Sequence, residues 1–315
     1  MCYRICSFVV LITGFCSANC IGGIIDGFDV ARHARFLEDG TANPDFFLDE
    51  TQLSGVAHQR AALISPRHYV TANHVSTTSA TFVGLDGIER TYTASSSQRL
   101  TTFVDGEGDI PSDIRVYRLD QEVDPAIMPL PIVVGEASDF IGQELIAFEQ
   151  HQWAGRNTID ALGIVEFTSG SSDTVAVQYS FDTATNGGSG GLGQDEIGLL
   201  SGDSGGTALM SVGGRYGVLG THMGIDVPEG SNAAAGDRYD TFSTLLAGYE
   251  GQLSSILAAD GYSLQTLRVT AIPEPSAFAG CMLLSTVIVL RRHKRRRARS
   301  TGCPTAHSVS NHKFD

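Results

Sequence analysis

Between residues 21 and 280 the sequence has no cysteine: Cys2, Cys6, Cys16 and Cys20 sit at one end, Cys281 and Cys303 at the other. That stretch can form neither a disulfide nor a thiolate metal site, so its fold must stand on packing alone. Lysine is missing too, with none before Lys294. The first 290 residues carry thirteen arginines against thirty-four acids, a balance of −21. Phosphate backbones repel such a body, which excludes a nucleic-acid partner. Charged residues make up only 18% of the chain, below the ~25% of an average globular protein. No Walker-type or dinucleotide-binding loop occurs, because the glycines from Gly187 to Gly193 lack the strand–helix context of one. Glycine is plentiful, at 36 of 315 residues, which favours tight turns over long helices.

The two ends read as addresses rather than fold. Arg4, an apolar run from Phe8 to Phe15 and the small residues Cys16 to Cys20 have the three-part layout of a secretory signal peptide over residues 1–20. Cleavage falls after Ala18 or Cys20. At the other end, Pro273-Glu274-Pro275-Ser276 precedes an apolar run from Ala277 to Leu290 and an arginine cluster from Arg291 to Arg299. A helix of that run spans ~21 Å, short of the ~30 Å hydrocarbon core. The arginines behind it fit retention on the cytoplasmic side. This order over 273–299 resembles the bacterial PEP-CTERM sorting signal. The resemblance implies export to the cell envelope or secretion, a short membrane segment held at least transiently in the inner membrane, and recognition by an exosortase-like sorting enzyme after signal peptidase. Residues 261–272 read as a linker and 300–315 as a polar tail.

The body reads as short strands separated by turn residues, an all-β pattern. β-prone runs occur at Arg60 to Ile64, His68 to Thr71, Ala80 to Val83, Ile114 to Leu119, Glu144 to Phe148, Thr174 to Tyr179, Thr207 to Val212 and Tyr216 to Gly220. One helical pattern appears late: Leu245, Leu246, Tyr249, Leu253, Ile256 and Leu257 share a face, and Gly261 ends it.

Chemistry concentrates in three segments. Ser201-Gly202-Asp203-Ser204-Gly205-Gly206 places a serine between glycines, which let the backbone turn sharply and aim amides at one spot. A serine hydroxyl is a weak nucleophile and needs a base beside it. His74 follows the strand-like run His68 to Thr71 and supplies an imidazole. Asp113 leads an alternating strand and supplies a carboxylate to orient it. Asp109 is a rival orienter, but Ile110-Pro111 breaks the strand after it.

In that order, His74, Asp113 and Ser204 resemble the trypsin/chymotrypsin-like serine proteases, carried by Thr71-Ala72-Asn73-His74, Asp113-Ile114-Arg115-Val116 and Gly202-Asp203-Ser204-Gly205-Gly206. Asn73 and Val75 depart from the family pattern, Val75 standing where many members have a disulfide cysteine. The resemblance spans residues 24–260. It implies two six-stranded antiparallel β-barrels with a C-terminal helix, and a serine endopeptidase needing no cofactor or metal that hydrolyses peptide bonds in a protein or peptide substrate. Ser204 is then the nucleophile, His74 the general base and acid, Asp113 its orienter, and the amides of Gly202 and Ser204 the oxyanion hole. Ile24-Ile25-Asp26-Gly27 resembles the start that processing exposes in the family, which implies a cut at Gly23–Ile24 and pairing of Ile24 with Asp203; the same residues also read as an early strand. Six residues before the serine stands Gly198 rather than an aspartate, which implies no preference for Arg or Lys. His222 resembles the pocket histidine of glutamyl endopeptidases and also reads as a wall residue without a charge role. A catalytically silent surface or matrix protein of the same fold is the alternative.

Overall fold

The computed structural model describes residues 22–167, 172–188 and 191–269. The signal segment 1–20, the PEP motif with its apolar run and arginine cluster, and the polar tail lie outside the described residues.

In chain order the strands are β1 (Ile24–Ile25), β2 (Ala62–Ser65), β3 (His68–Ala72), β4 (Ser79–Val83), β5 (Glu89–Val104), β6 (Gly108–Leu119), β7 (Ile132–Val134) and β8 (Glu144–Phe148). Then follow β9 (Ala154–Thr158), β10 (Ala161–Phe167), β11 (Ser172–Phe181), β12 (Ile197–Gly198), β13 (Thr207–Val212), β14 (Arg215–Asp226), β15 (Tyr239–Thr244) and β16 (Thr266–Arg268). Among the described residues three α-helices accompany them: α1 (Val30–His33), α2 (Ala137–Phe140) and α3 (Glu250–Ala259).

The fold is all-β, built on two main sheets. The first is antiparallel, in the order β2-β3-β6-β5-β4. The second runs β10-β11-β15-β14-β13-β8-β9, with β7 joined in parallel to β14 and to β16, which brings it to nine strands. The sheets therefore hold five and nine strands. β1 and β12 form a separate ribbon, Ile24 opposite Gly198. One apolar cluster binds the halves together: Val70, Ile114 and Val116 of the first sheet meet Ile146, Phe148 and Leu209 of the second and Leu253 and Leu257 of α3. Burial of such side chains at ~1.5–3 kcal/mol each is what a cysteine-free body must rely on.

Three expectations need correction. The helical stretch begins as a 3₁₀ turn over Leu246–Tyr249 and becomes α-helical only at Glu250. Gly248 there lies so close to Val175 that a Cβ would stand 3.1 Å away, and the Tyr249 hydroxyl accepts from the Val175 amide. Pro111 does not break its strand: β6 runs through it with Pro111 opposite Thr101, next to a register shift between Arg99 and Thr101 that accommodates the missing donor. Residues 261–269 are not a linker. Thr266–Arg268 form a ladder with β7, Leu267 and Val269 are buried, and the Val269 amide donates to the Val134 carbonyl.

Candidate active site

β3 and β6 are neighbours, and the Asn73 amide, just past the end of β3, donates to the Asp113 carbonyl. That register puts His74 beside the Asp113 side chain. The carboxylate holds the histidine at two points, Oδ1 accepting from the backbone N at 2.9 Å and Oδ2 facing ring Nδ1 at 2.7 Å. An ionised carboxylate only accepts, so Nδ1 carries the hydrogen and Nε2 is left with its lone pair. Asp113 is fully buried, and its own amide donates to Thr174 Oγ1 on β11 at 2.8 Å. The His74 side chain keeps 24% of its exposure, and its ring lies 5.1 Å from that of Phe167. Asp109, the rival, is exposed, paired with Phe103 across the β5–β6 hairpin.

Ser204 lies on the turn between β12 and β13, on the other sheet. Gly202 adopts φ +115° and Gly205 φ +80°, left-handed conformations that only glycine takes without strain. Gly205 is pressed against β3: a Cβ there would stand 2.5 Å from Thr71 Oγ1 and 3.3 Å from the Arg60 carbonyl oxygen. Thr71 precedes His74 by three residues, so this contact brings the serine turn to the histidine's end of β3. Among the described residues the Ser204 hydroxyl makes no hydrogen bond, to the imidazole or otherwise, and the amides of Gly202 and Ser204 have no backbone acceptor, whereas those of Asp203, Gly205 and Gly206 bond to Leu200, His222 and Asp203.

The turn is fastened by Asp203. Its buried carboxylate accepts from the amides of Leu200 at 2.7 Å and Gln150 at 3.1 Å. Burial pushes its pKa up to about 7, and the nearby Glu149 carboxylate adds to the rise. Glu149 is itself buried and raised by burial; it is held by the amide of Trp153 and faces His151 Nδ1 at 2.7 Å. Ile24 is engaged in the ladder with Gly198, and the residue beside Asp203 is Gly23, where a Cβ would lie 3.4 Å from Oδ2.

His222 turns both ring nitrogens into the interior. It is fully buried behind the serine turn, exchanging backbone bonds with Gly205 and Gly206. Its Nε2 faces the Phe148 carbonyl at 2.9 Å and therefore carries the hydrogen; Nδ1 takes that of Ser243 Oγ at 3.0 Å, and Ser243 in turn accepts from Tyr179. Burial pushes the ring down to about 4, so it is neutral near pH 7 and has no free nitrogen for a substrate carboxylate. Gly198 is buried as well: a Cβ there would stand 2.3 Å from the Tyr239 hydroxyl and 2.8 Å from Phe181 Cβ, which leaves no room for a side chain.

Sequence reasoning missed Thr174, Glu149 and Gln150, whose atoms hold Asp113 or surround Asp203. Each lies in a strand or turn far along the chain, with no local pattern to mark it.

No family model matches the sequence, and no curated protein matches it. Among solved structures, a mutant of human heparin binding protein (CAP37) aligns over 68% of this chain and 95% of its own, at 15% identity and a TM-score of 0.44. Human heparin binding protein itself aligns over 63% and 85%, at 16% identity and a TM-score of 0.41. The NS6 protease from murine norovirus 1 aligns over 62% and 92%, at 14% identity and a TM-score of 0.39. The chain's own ladders define it as an all-β protein of two main sheets and a C-terminal helix, in which a carboxylate-bound histidine from one sheet and a glycine-flanked serine from the other come to the same end of β3.

Proposed function

We propose that the protein is an exported trypsin-like serine endopeptidase. The observation that carries this reading is the double hold of Asp113 on His74, at 2.9 and 2.7 Å, which supports Nε2 as the base. In this mechanism Nε2 takes the Ser204 proton as the oxygen attacks the scissile carbonyl. The amides of Gly202 and Ser204 receive the developing oxyanion. The imidazolium then protonates the departing amine, and water repeats the sequence to release the acyl group. The hydroxyl–imidazole contact closes when substrate is bound, as such contacts do in many apo enzymes.

Two further parts belong to the proposal. A cut at Gly23–Ile24 frees an α-ammonium next to Asp203, whose buried charge it would neutralise; the place of Gly23 beside Oδ2 supports this. The absence of a carboxylate at Gly198 supports a preference for residues other than Arg or Lys. Export, exosortase-type sorting and a transient membrane segment rest on the terminal sequences alone.

Labelling with a fluorophosphonate probe tests the reading. The wild type is expected to label and Ser204→Ala to remain unlabelled. No label on the wild type, or equal label on both, overturns it in favour of the catalytically silent alternative.

A further inference from the structure

Val75, Ser76 and Thr77, next in the chain after His74, line a polar cleft of about 310 Å³ together with His58, Arg60 and Glu89 among others. Its walls come from two places. Val75 to Thr77 follow the histidine directly. His58 to Arg60 form a turn fixed by backbone bonds from Ala57 to Ala61 and from His58 to Thr81, with Thr207 Oγ1 bound to the Ala61 carbonyl.

Arg60 stands out in this turn. Its φ is +54°, a left-handed conformation that a non-glycine residue takes only where its surroundings enforce it. The enforcement is visible: Gly205 sits so close that a Cβ on it would be 3.3 Å from both Arg60 Cβ and its carbonyl oxygen. Arg60 is half-buried, yet among the described residues its guanidinium has no hydrogen bond or ion pair. Arg215, Arg238 and Arg268 also lack side-chain partners, but they are exposed. In a body with a balance of −21, a half-buried guanidinium that no carboxylate holds keeps its N–H donors available to an acidic group. Glu89 does not fill it: that side chain is 57% exposed and paired with His58 Nδ1 at 3.1 Å.

The position of the cleft fixes which half of a substrate would reach it. In acyl transfer the acyl oxygen lies against the amides of Gly202 and Ser204, while the leaving amine takes its proton from the imidazole. The cleft is lined by the residues that follow His74 and not by Gly202. Arg60, set against Gly205, ties this cleft to the serine turn, and its Val75–Thr77 wall continues from the histidine that serves the leaving group in this reading.

We propose that this cleft is a subsite for an acidic side chain one or two residues after the scissile bond, recognised by Arg60. The inference rests on the endopeptidase reading above and names the substrate class for its leaving-group half. A guanidinium offers a planar fork that matches a carboxylate, and a hydrogen bond between charged groups of this kind supports about a tenfold preference.

The test is digestion of a peptide library by the full-length protein, with the new N-termini read by mass spectrometry. Asp and Glu are expected to be enriched about tenfold at the first or second position after the cut. Arg60→Gln is expected to lose that enrichment, and Arg60→Glu to replace it with Lys and Arg. Because the readout is a ratio within each variant, a general loss of turnover does not imitate it. Should glutamine fit the left-handed turn poorly, Arg60→Asn, which tolerates that conformation, gives the same comparison. Cleavage with no acidic enrichment, an enrichment of Lys or Arg in the wild type, or an enrichment that survives in the Arg60 variants overturns the subsite. A wild type that neither cleaves nor takes the fluorophosphonate overturns the endopeptidase reading itself, which separates the two failures.

Discussion

Gly23 lies against Asp203: a Cβ on the glycine would stand 3.4 Å from Oδ2 of the aspartate, and 3.2 Å from Cβ of Glu149. Gly22 and Gly23 thus lie against two buried carboxylates, Glu149 and Asp203, next to the turn that carries Ser204.

That burial sets a pH dependence. Asp203 has its folded pKa pushed up to about 7, so its stabilising share is full below the ordinary carboxylate range and is lost as the pH rises through about 7. Buried His222 acts in the opposite sense. Pushed down to about 4, it contributes fully above about 6.5 and loses that share as the pH falls toward 4. The two oppose each other over one window, so a variant comparison is needed to separate them. For the full chain, the melting temperature of Asp203→Asn minus that of the wild type is expected to increase by several degrees from pH 5 to pH 8. Calorimetry across that range checks it, and a constant difference contradicts the burial argument.

Asp113→Asn should leave the shape of the site nearly intact while reversing the imidazole's tautomer. An amide offers one acceptor where the carboxylate offers two, and it cannot stabilise an imidazolium. Turnover on a cleavable peptide is expected to fall by about 10⁴-fold, the scale for loss of this carboxylate in a Ser-His-Asp arrangement. Steady-state kinetics decide it: a loss under tenfold would remove Asp113 from the role assigned to it.

Arg35 is fully buried and binds Glu50 through Nε and Nη2, the carbonyls of Val56 and Leu53, and Gln152 Oε1. Arg35→Met strands those acceptors and is expected to cost about 3 kcal/mol, at the low end for a broken buried pair because Glu50 keeps some exposure. In a domain of this size that lowers the melting temperature by roughly 10 °C. Thermal unfolding followed by circular dichroism measures it.

Two otherwise equal chains, one ending at residue 260 and one at 269, should differ in stability. The shorter one loses β16, its ladder with β7 and the buried Leu267 and Val269. At ~1.5–3 kcal/mol for each side chain, the loss is about 3 kcal/mol or more. Equal denaturation midpoints would return 261–269 to the status of a linker.

The sequence by itself determined the all-β character, several strand positions and the three site segments. Glu144–Phe148 and Thr207–Val212 read as strands because continuous β-prone runs end at turn residues, and those strands have the same bounds in the structure. Gly202-Asp203-Ser204-Gly205-Gly206 was legible because its geometry is local: the glycines at +115° and +80° are required by the turn itself. β5 was not legible, since half of its sixteen residues are exposed and the strand is rich in serine and threonine, with little apolar alternation to mark it. Only the tertiary structure decided the surroundings of His222 and Arg60. A histidine's pKa and free nitrogens depend on what surrounds it, and here Phe148 and Ser243, 74 and 21 residues away in the chain, take both ring nitrogens. Among the described residues Arg60 has no side-chain partner for the same reason in reverse: the fold sets it against Gly205 and in one cleft with Val75, while Glu89 of that cleft pairs with His58. Local spacing specifies which chemical groups a turn or strand presents, but charge, protonation and vacancy are properties of neighbours, and neighbours are made by long-range packing.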